Sequence, residues 1–107
     1  MAKKVKSQAK LKEPADKFLA KVPADSVFWC RDGSIFGSMK ELAEGLVVIS
    51  DETFTYHSNS EKQDFSNWVR DVIKDERLAS ELATATDRLQ AAEYVAARVT
   101  FLTGRVA

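Results

Sequence analysis

The sequence predicts a mainly α-helical domain in which a short N-terminal β-hairpin packs on four or five short helices. Three observations lead to this fold class. The dipeptide Asp32-Gly33 between two apolar runs is a strong hairpin signal. Apolar residues from Phe65 to Ile73 recur at the spacing of one helical face. The chain has 107 residues, of which 45% are hydrophobic, so it has room for one small core.

The N-terminal segment differs in composition from the rest of the chain. Residues 1–25 carry seven lysines against three acidic residues, a net charge of +4, whereas residues 26–107 carry nine basic against thirteen acidic residues, a net charge of −4. Pro14 and Pro23 interrupt the segment, and no helical face in it is wide enough to bury. We therefore expect residues 1–24 to be a flexible, disordered lysine-rich tail, with a transient turn over 17–21, and residues 25–105 to form one compact domain.

The hairpin is the first element expected to be ordered. A two-residue loop would pair Trp29 with Phe36 and Cys30 with Ile35. Its aromatic residues, which include Phe28, either join the core or offer a surface on which single-stranded nucleic acid stacks. The core is the better interpretation for so small a domain, and Cys30 is interpreted as a buried small residue.

Two capping boxes predict the starts of the main helices. Ser38 with Glu41 opens a helix that runs to residue 49, and Ser60 with Gln63 opens the most regular helix of the chain. The apolar stripe of the first is Met39, Leu42, Ala43, Leu46 and Ile49, and that of the second is Phe65, Trp68, Val69, Val72 and Ile73.

Three further helical segments complete the prediction. Ser50 or Asp51 caps a short turn that buries Phe54, and Asp75 caps a short helix after the regular one. The last helix is expected to end at Gly104. The short helix buries Leu78, Ala79 and Leu82, and the last buries Leu89, Ala92, Val95, Ala96, Val99 and Leu102.

His57 is the only histidine, and it lies where one short helix ends and the next begins. It could act as a general base with Asp64, or it could form a structural hydrogen bond with Asp64 across the junction. No serine elbow, Glu-x-x-His motif or glycine-rich phosphate loop accompanies it, so the structural interpretation is preferred.

Two sets of charged residues on the regular helix have ordinary explanations. Asp64, Asp71 and Asp75 have the spacing of a solvated helix face. Three cations would share one ridge if the helix continued, and could then meet phosphate, but nearby acidic residues favour surface pairing. These cations are Arg70, Lys74 and Arg77.

Clustered lysines in the tail carry the strongest electrostatic signal. They could neutralise several DNA phosphates without base selectivity, or they could serve only as a solubilising leader or linker, and the sequence leaves both alternatives open. The lysines are Lys3, Lys4, Lys6, Lys10 and Lys12.

Composition also limits the classes of site and the compartment. With one cysteine the chain has no internal disulfide, and with one cysteine and one histidine it lacks the usual ligands of a four-ligand zinc site. We expect no cofactor. No apolar run reaches the roughly 18–20 residues of a membrane span, and no apolar stretch follows the first lysines as in a secretory signal. A cytoplasmic protein without membrane contact is expected.

Five motifs follow one another from residue 28 onward. They are the aromatic–glycine hairpin at 28–33, a helix with Leu42 and Leu46, "FTYH" at 54–57, "DFSNWV" at 64–69 and "DERLA" at 75–79. In this order they resemble a small uncharacterised domain family found mainly in archaea and in little-studied bacteria. Members stand alone or are joined to larger proteins, which implies an accessory module without assigned chemistry. The structural motif positions are Trp29, His57, Asp64, Phe65 and Trp68.

Taken together, these patterns predict a non-enzymatic helical interaction module whose partner is another protein or a second copy of the chain. The alternative is a nucleoid-type protein whose lysine-rich tail binds DNA without sequence preference. A small enzyme centred on His57 and Asp64 is the weakest hypothesis.

Overall fold

The computed structural model describes residues 15–106 and confirms the predicted mainly helical class with one β-hairpin. The tail lysines from Lys3 to Lys12, and the flexibility expected of residues 1–14, lie outside the described residues. The elements are α1 (Ala15–Leu19), a 3-10 turn (Ala24–Ser26), β1 (Phe28–Trp29), β2 (Ile35–Phe36), α2 (Met39–Val48), α3 (Asp51–His57), α4 (Asp64–Trp68), a π-helical turn (Val69–Ile73), α5 (Glu76–Ala83) and α6 (Arg88–Val106).

Helix α1 makes residues 15–24 part of the folded body, so the tail boundary expected at residue 24 is wrong. Ala15 and Phe18 are buried in the main core, and α1 packs on α6. The next residues are also anchored: the Val22 N–H donates to the Gly37 carbonyl at 2.8 Å, and the Lys21 ammonium lies 3.1 Å from the Glu41 carboxylate. The sequence did not indicate this, because five residues show no helical period and gain their burial from the surfaces of α6 and α2.

The hairpin register differs by one residue from the one expected. Phe28 pairs with Phe36 and Trp29 pairs with Ile35, so the predicted pairing of Trp29 with Phe36 is wrong. As a result Phe28 and Phe36 face the core together with Cys30, while Trp29 and Ile35 share the opposite, solvent-facing side. A shift of one residue moves a strand's side chains from one face to the other.

A three-residue loop causes this register. The Gly33 N–H donates to the Cys30 carbonyl at 2.9 Å, and the Cys30 N–H donates to the Ser34 carbonyl at 2.8 Å. Gly33 has a φ of +95°, which a glycine adopts without strain and which closes the loop as a turn with a bulge. The Asp32 carboxylate accepts the Ser34 N–H at 2.9 Å, and this hydrogen bond lowers the pKa of Asp32.

Helix α2 begins at the predicted capping serine. The Ser38 hydroxyl accepts the Glu41 N–H at 3.1 Å. In a standard capping box the Glu41 carboxylate would accept the N–H of Ser38. Here it accepts the N–H of the preceding residue, Gly37, at 2.7 Å. This bond, with the nearby Lys21 ammonium, lowers the pKa of Glu41.

Gly45 in the middle of α2 allows the hairpin to lie close to the helix. A Cβ placed there would fall well inside van der Waals distance of the Phe36 ring. Helix propensity favours alanine over glycine by about 1 kcal/mol, but here the ring occupies the space that a methyl group would need. Close packing of β2 on α2 therefore explains a glycine that otherwise weakens the helix.

The predicted capping box at Ser60 and Gln63 does not form. Helix α4 begins at Asp64, and Gln63 precedes it without a side-chain capping bond. Asn59 organises the connection instead, because its side-chain carbonyl accepts the N–H groups of Glu61 and Lys62 at 2.9 and 3.1 Å. The short helix before it follows the prediction more closely: Ser50 caps α3 by accepting the Thr53 N–H at 3.0 Å, and Phe54 is buried.

Helix α4 widens into a π-helical turn and then stops. Lys74 has a left-handed φ of 77°, and its N–H donates to the Val69 carbonyl at 2.8 Å across five residues. The chain therefore leaves the helix before Arg77, and the predicted ridge of Arg70, Lys74 and Arg77 does not exist as one helical face. Arg70 instead donates to the Asn67 side-chain carbonyl at 2.8 Å.

Asp75, expected on a solvated face, is buried, with only 1% of its surface exposed. Its carboxylate caps α5 as predicted, accepting the Leu78 N–H at 3.1 Å. It also accepts two hydrogen bonds from the Arg98 guanidinium, at 2.7 and 3.2 Å. Because Arg98 is also buried, this bidentate ion pair joins the start of α5 to the middle of α6 inside the core.

Helix α6 buries a wider surface than one stripe. It packs on α1, α2 and α5, so side chains on more than one side of it are covered. Leu89 and Ala96, both predicted to be buried, are exposed, and the helix continues through Gly104 to Val106. The fully covered residues are Ala91, Ala92, Val95, Arg98 and Leu102.

Replacing Phe18 by alanine should lower the free energy of unfolding by about 3 kcal/mol, because the change leaves a cavity between α1 and the core. Lys17→Ala in the same short helix removes only an exposed side chain and is the matched control. Urea unfolding of both variants measures the difference. An unchanged midpoint for Phe18→Ala would mean that α1 contributes nothing to the body.

Asp75→Asn should destabilise the protein by about 3–5 kcal/mol, because it removes the negative charge from a buried bidentate ion pair, and the Arg98 guanidinium of that pair cannot release its proton. Asparagine retains an oxygen that can cap α5, which separates loss of the charge from loss of the cap. Asp71→Asn removes an exposed partner of Arg70 and should change stability by less than about 1 kcal/mol. Thermal melts of both variants test the prediction, and similar melting temperatures would contradict it.

Candidate functional site at the hairpin and His57

The candidate site lies where the hairpin turn meets the junction between α3 and α4. Helix α3 ends at His57, and the Ser58 N–H still donates to the Phe54 carbonyl at 2.9 Å. The connection held by Asn59 then leads to Asp64, the first residue of α4. This short connection brings the two ends of the helices together and turns His57 towards the hairpin.

Both ring nitrogens of His57 have protein partners. The backbone N–H of Arg31 in the hairpin turn donates to Nε2 at 2.9 Å, and Nδ1 lies 3.0 Å from a carboxylate oxygen of Asp64. Since Nε2 accepts a hydrogen bond, it carries no proton, and the proton of the neutral ring is on Nδ1 and is donated to Asp64. His57 thus links the hairpin to α4 in one defined tautomer.

Aromatic side chains enclose the His57 ring. Phe28, Tyr56 and Phe65 each meet it nearly edge to face, with ring centroids 5.1, 5.0 and 5.4 Å away. Only 6% of His57 remains exposed. The imidazole is therefore part of the core, and neither nitrogen is presented to a ligand.

Tyr56 forms the outer wall of this junction and lies near two cations. The Arg31 guanidinium is 4.2 Å from the centre of its ring, and the Lys62 ammonium is 3.8 Å from it. The same Lys62 ammonium lies 3.5 Å from Asp64. The Arg31 side chain therefore contacts Tyr56 of α3 on the solvent-facing side of the turn. The Arg31 backbone N–H contacts His57, also of α3, on the buried side.

Trp29 and Ile35 form the solvent-facing surface of the hairpin. They are directly paired across the two strands, and 68% of Trp29 and 47% of Ile35 are exposed. The sequence had suggested a structural position for Trp29, but the register places it outside the core. A cleft of about 440 Å³ adjoins the turn and is lined by Arg31, Asp32, Glu52, Thr53, Thr55 and Tyr56.

Trp68 and Phe65, by contrast, are buried and contact the hairpin and the segment before it from the core. The Trp68 indole N–H donates to the Ser26 carbonyl at 2.8 Å, which fixes the segment before β1. Phe65 stacks on Phe28 with ring centroids 4.8 Å apart. These two motif residues of α4 therefore position the hairpin rather than contact a ligand.

Cys30 lies on the buried side of the hairpin, as its interpretation as a small core residue requires. Burial raises the pKa of its thiol. A thiol that stays protonated is a poor nucleophile, so the residue serves packing in this position.

Two features of this region and its surroundings gave no sequence signal. The bond from the Arg31 N–H to His57 involves a backbone group 26 residues away from the ring, and backbone groups are not encoded by residue type. Nothing in the local sequence indicates the buried position of Arg98, because an arginine on a helix is usually exposed and its partner Asp75 lies 23 residues earlier.

Residues 15–106 contain neither a cluster of metal ligands nor a membrane-spanning helix. No group of three or more histidine, cysteine, aspartate or glutamate side chains in this range is arranged to hold a metal ion. None of the helices described in it is long and apolar enough to cross a membrane.

Comparisons of the chain with protein-family models, with curated proteins and with solved structures find no significant match. The resemblance to an archaeal domain family stays a prediction. The fold and the site together define a small helical domain that carries an anchored hairpin with an exposed aromatic face.

Proposed function

We propose that the protein is a non-enzymatic, cytoplasmic interaction module that binds another protein through the outer face of its hairpin. The observation that carries this proposal is the exposure of Trp29 beside Ile35. Single exposed apolar residues are common on protein surfaces, but tryptophan is strongly enriched among the residues that dominate binding energies. A directly opposed pair also gives one continuous apolar spot rather than two separate ones.

The anchoring of the hairpin supports the same proposal. Phe28 and Phe36 hold the ribbon from its buried side, and the Arg31 N–H fixes its turn on His57. A surface that is already ordered loses less entropy when a partner binds. Two strands of two residues each would not be stable alone, so this order comes from the helices beneath.

The residues around Trp29 and Ile35 are suited to a small protein interface with a polar rim. The charged groups of Arg31 and Asp32 lie at the turn, next to the cleft shared with Tyr56. The hairpin face alone is smaller than the roughly 800 Å² that a stable complex buries on each partner. A transient contact is therefore proposed, in keeping with the accessory role that the family resemblance implies.

Affinity isolation after cross-linking, with the full-length protein as bait in an extract of its own cells, tests this function. Trp29→Ser should reduce recovery of a specific partner about thirtyfold, the change that a loss of about 2 kcal/mol produces. Val48→Ser, which removes another exposed apolar side chain on α2, should leave recovery unchanged. Both variants should keep the wild-type melting temperature.

Recovery of the same partners by Trp29→Ser would contradict the proposal. Sedimentation of the purified protein distinguishes a different protein as partner from a second copy of this chain. A concentration-dependent dimer that Trp29→Ser abolishes would identify the partner as a second copy.

A second candidate function rests on the charge difference between tail and body. Residues 1–14 carry five lysines against one acidic residue, a net charge of +4, and residues 15–107 carry a net charge of −4, which favours phosphate binding by the tail. We propose as the alternative that Lys3, Lys4, Lys6, Lys10 and Lys12 bind DNA without sequence preference.

Deleting residues 1–12, which leaves α1 intact, should then abolish DNA binding. In the full chain, affinity for two unrelated duplexes should be equal and should fall steeply between about 50 and 200 mM salt. Fluorescence anisotropy of labelled duplexes measures both effects. Retained binding by the shortened protein, or a preference between duplexes, would contradict this candidate, and absence of binding at low salt would remove it.

A further inference from the structure

We propose that His57 makes the hairpin surface sensitive to pH, so that a proton on its ring releases the turn and disorders the face that carries Trp29. This inference rests on the proposed function for its biological meaning, because the surface it regulates is the proposed binding face. Its physical basis is the pair of hydrogen bonds that His57 forms with Arg31 and Asp64.

The bond to the hairpin exists only in the neutral ring. Nε2 receives the Arg31 N–H at 2.9 Å and must present its lone pair to do so. A proton on Nε2 would place two N–H groups against each other at that distance. The attraction between turn and ring would become a repulsion, and the backbone of the turn would have to move away.

The bond to α4 survives the same change. Nδ1 already carries a proton and donates it to the Asp64 carboxylate, and it does so in both charge states. Protonation therefore holds the imidazole on α4 while it removes the acceptor from the hairpin. This difference between the two nitrogens directs the effect to the turn rather than to the helix junction.

The Cys30 sulfur also lies near the Arg31 N–H, but a thiol is a weak acceptor and a poor substitute for the imidazole nitrogen. Asp64 and Lys62 lie on the Nδ1 side, where the Lys62 ammonium is 3.5 Å from the carboxylate. The other walls are the rings of Phe28 and Phe65 and that of Tyr56, over which the Arg31 guanidinium lies. Only 6% of His57 is exposed, so most of the ring is shielded from water.

Opening of the turn affects the proposed binding surface directly. Trp29 lies two residues before Arg31, and within residues 15–106 its strand pairs with β2 alone. A hairpin of this length keeps its shape only through its anchors.

NMR of the full-length protein between pH 8 and pH 5 tests the inference without any partner. Because His57 is the only histidine, its ring signal is unambiguous. The backbone amides of Arg31 and Trp29 should shift with the same midpoint as the ring, and the hydrogen-exchange protection of the Arg31 amide should fall about tenfold as the ring becomes charged. The amides of α6 should not follow this midpoint.

His57→Gln is the matched control, since a glutamine can accept from the Arg31 N–H and donate to Asp64 but cannot take up a proton in this range. Its Arg31 and Trp29 amides should not titrate. An Arg31 amide that ignores the midpoint of His57 in the wild-type protein would overturn the inference, whether or not the glutamine variant folds. The same titration in a folded His57→Gln protein would also overturn it.

Partner recovery at pH 7.5 and pH 5.5 then separates the two proposals. If both hold, recovery falls at the lower pH for the wild-type protein and not for His57→Gln. If the amides titrate together but Trp29→Ser still recovers the partner, the hairpin responds to pH while the proposed function is wrong. If Trp29→Ser loses the partner and the amides do not titrate, the function holds and the regulation is wrong.

Discussion

The buried ion pair between Asp75 and Arg98 constrains how α5 is placed on α6. A guanidinium that cannot lose its proton is excluded from the core unless a carboxylate meets it there in good geometry. Asp75 reaches that position because the chain turns sharply at Lys74, after the π-helical turn. The same carboxylate caps α5, so one side chain begins this helix and also fixes it on α6.

His57 joins the hairpin to this helical framework in a similar way. Its ring accepts a hydrogen bond from a backbone N–H of the turn, at a part-buried position where the turn meets α3. The bond to Asp64 selects the tautomer that makes this possible. A ribbon of two short strands is thereby held rigid, which is the property that the proposed binding function uses.

The two faces of the hairpin have different roles: one packs in the core, and the other carries the proposed binding surface. Phe28 and Phe36 fill the core above Gly45, whereas Trp29 and Ile35 face solvent. Two sets of hydrogen bonds decide which side chains of the hairpin are buried. Those of the three-residue loop fix the register of the strands, and the bond to Nε2 of His57 fixes the position of the turn. The inferred response to pH follows from the bond to His57, because Nε2, the atom that positions the turn, can also take up a proton.

Local patterns in the sequence were sufficient for the fold class and for most helix positions. Capping by Ser38, Ser50 and Asp75, and the stripe around Phe65, follow from residue types within one or two turns. They were insufficient wherever burial came from a distant partner. The N-terminal helix α1, the buried Arg98 and the bond from the turn to His57 depend on surfaces 20 or more residues away, and a one-residue change of register decided the exposure of Trp29. Short-range propensities do not carry such information, since these positions are set when the whole core is assembled.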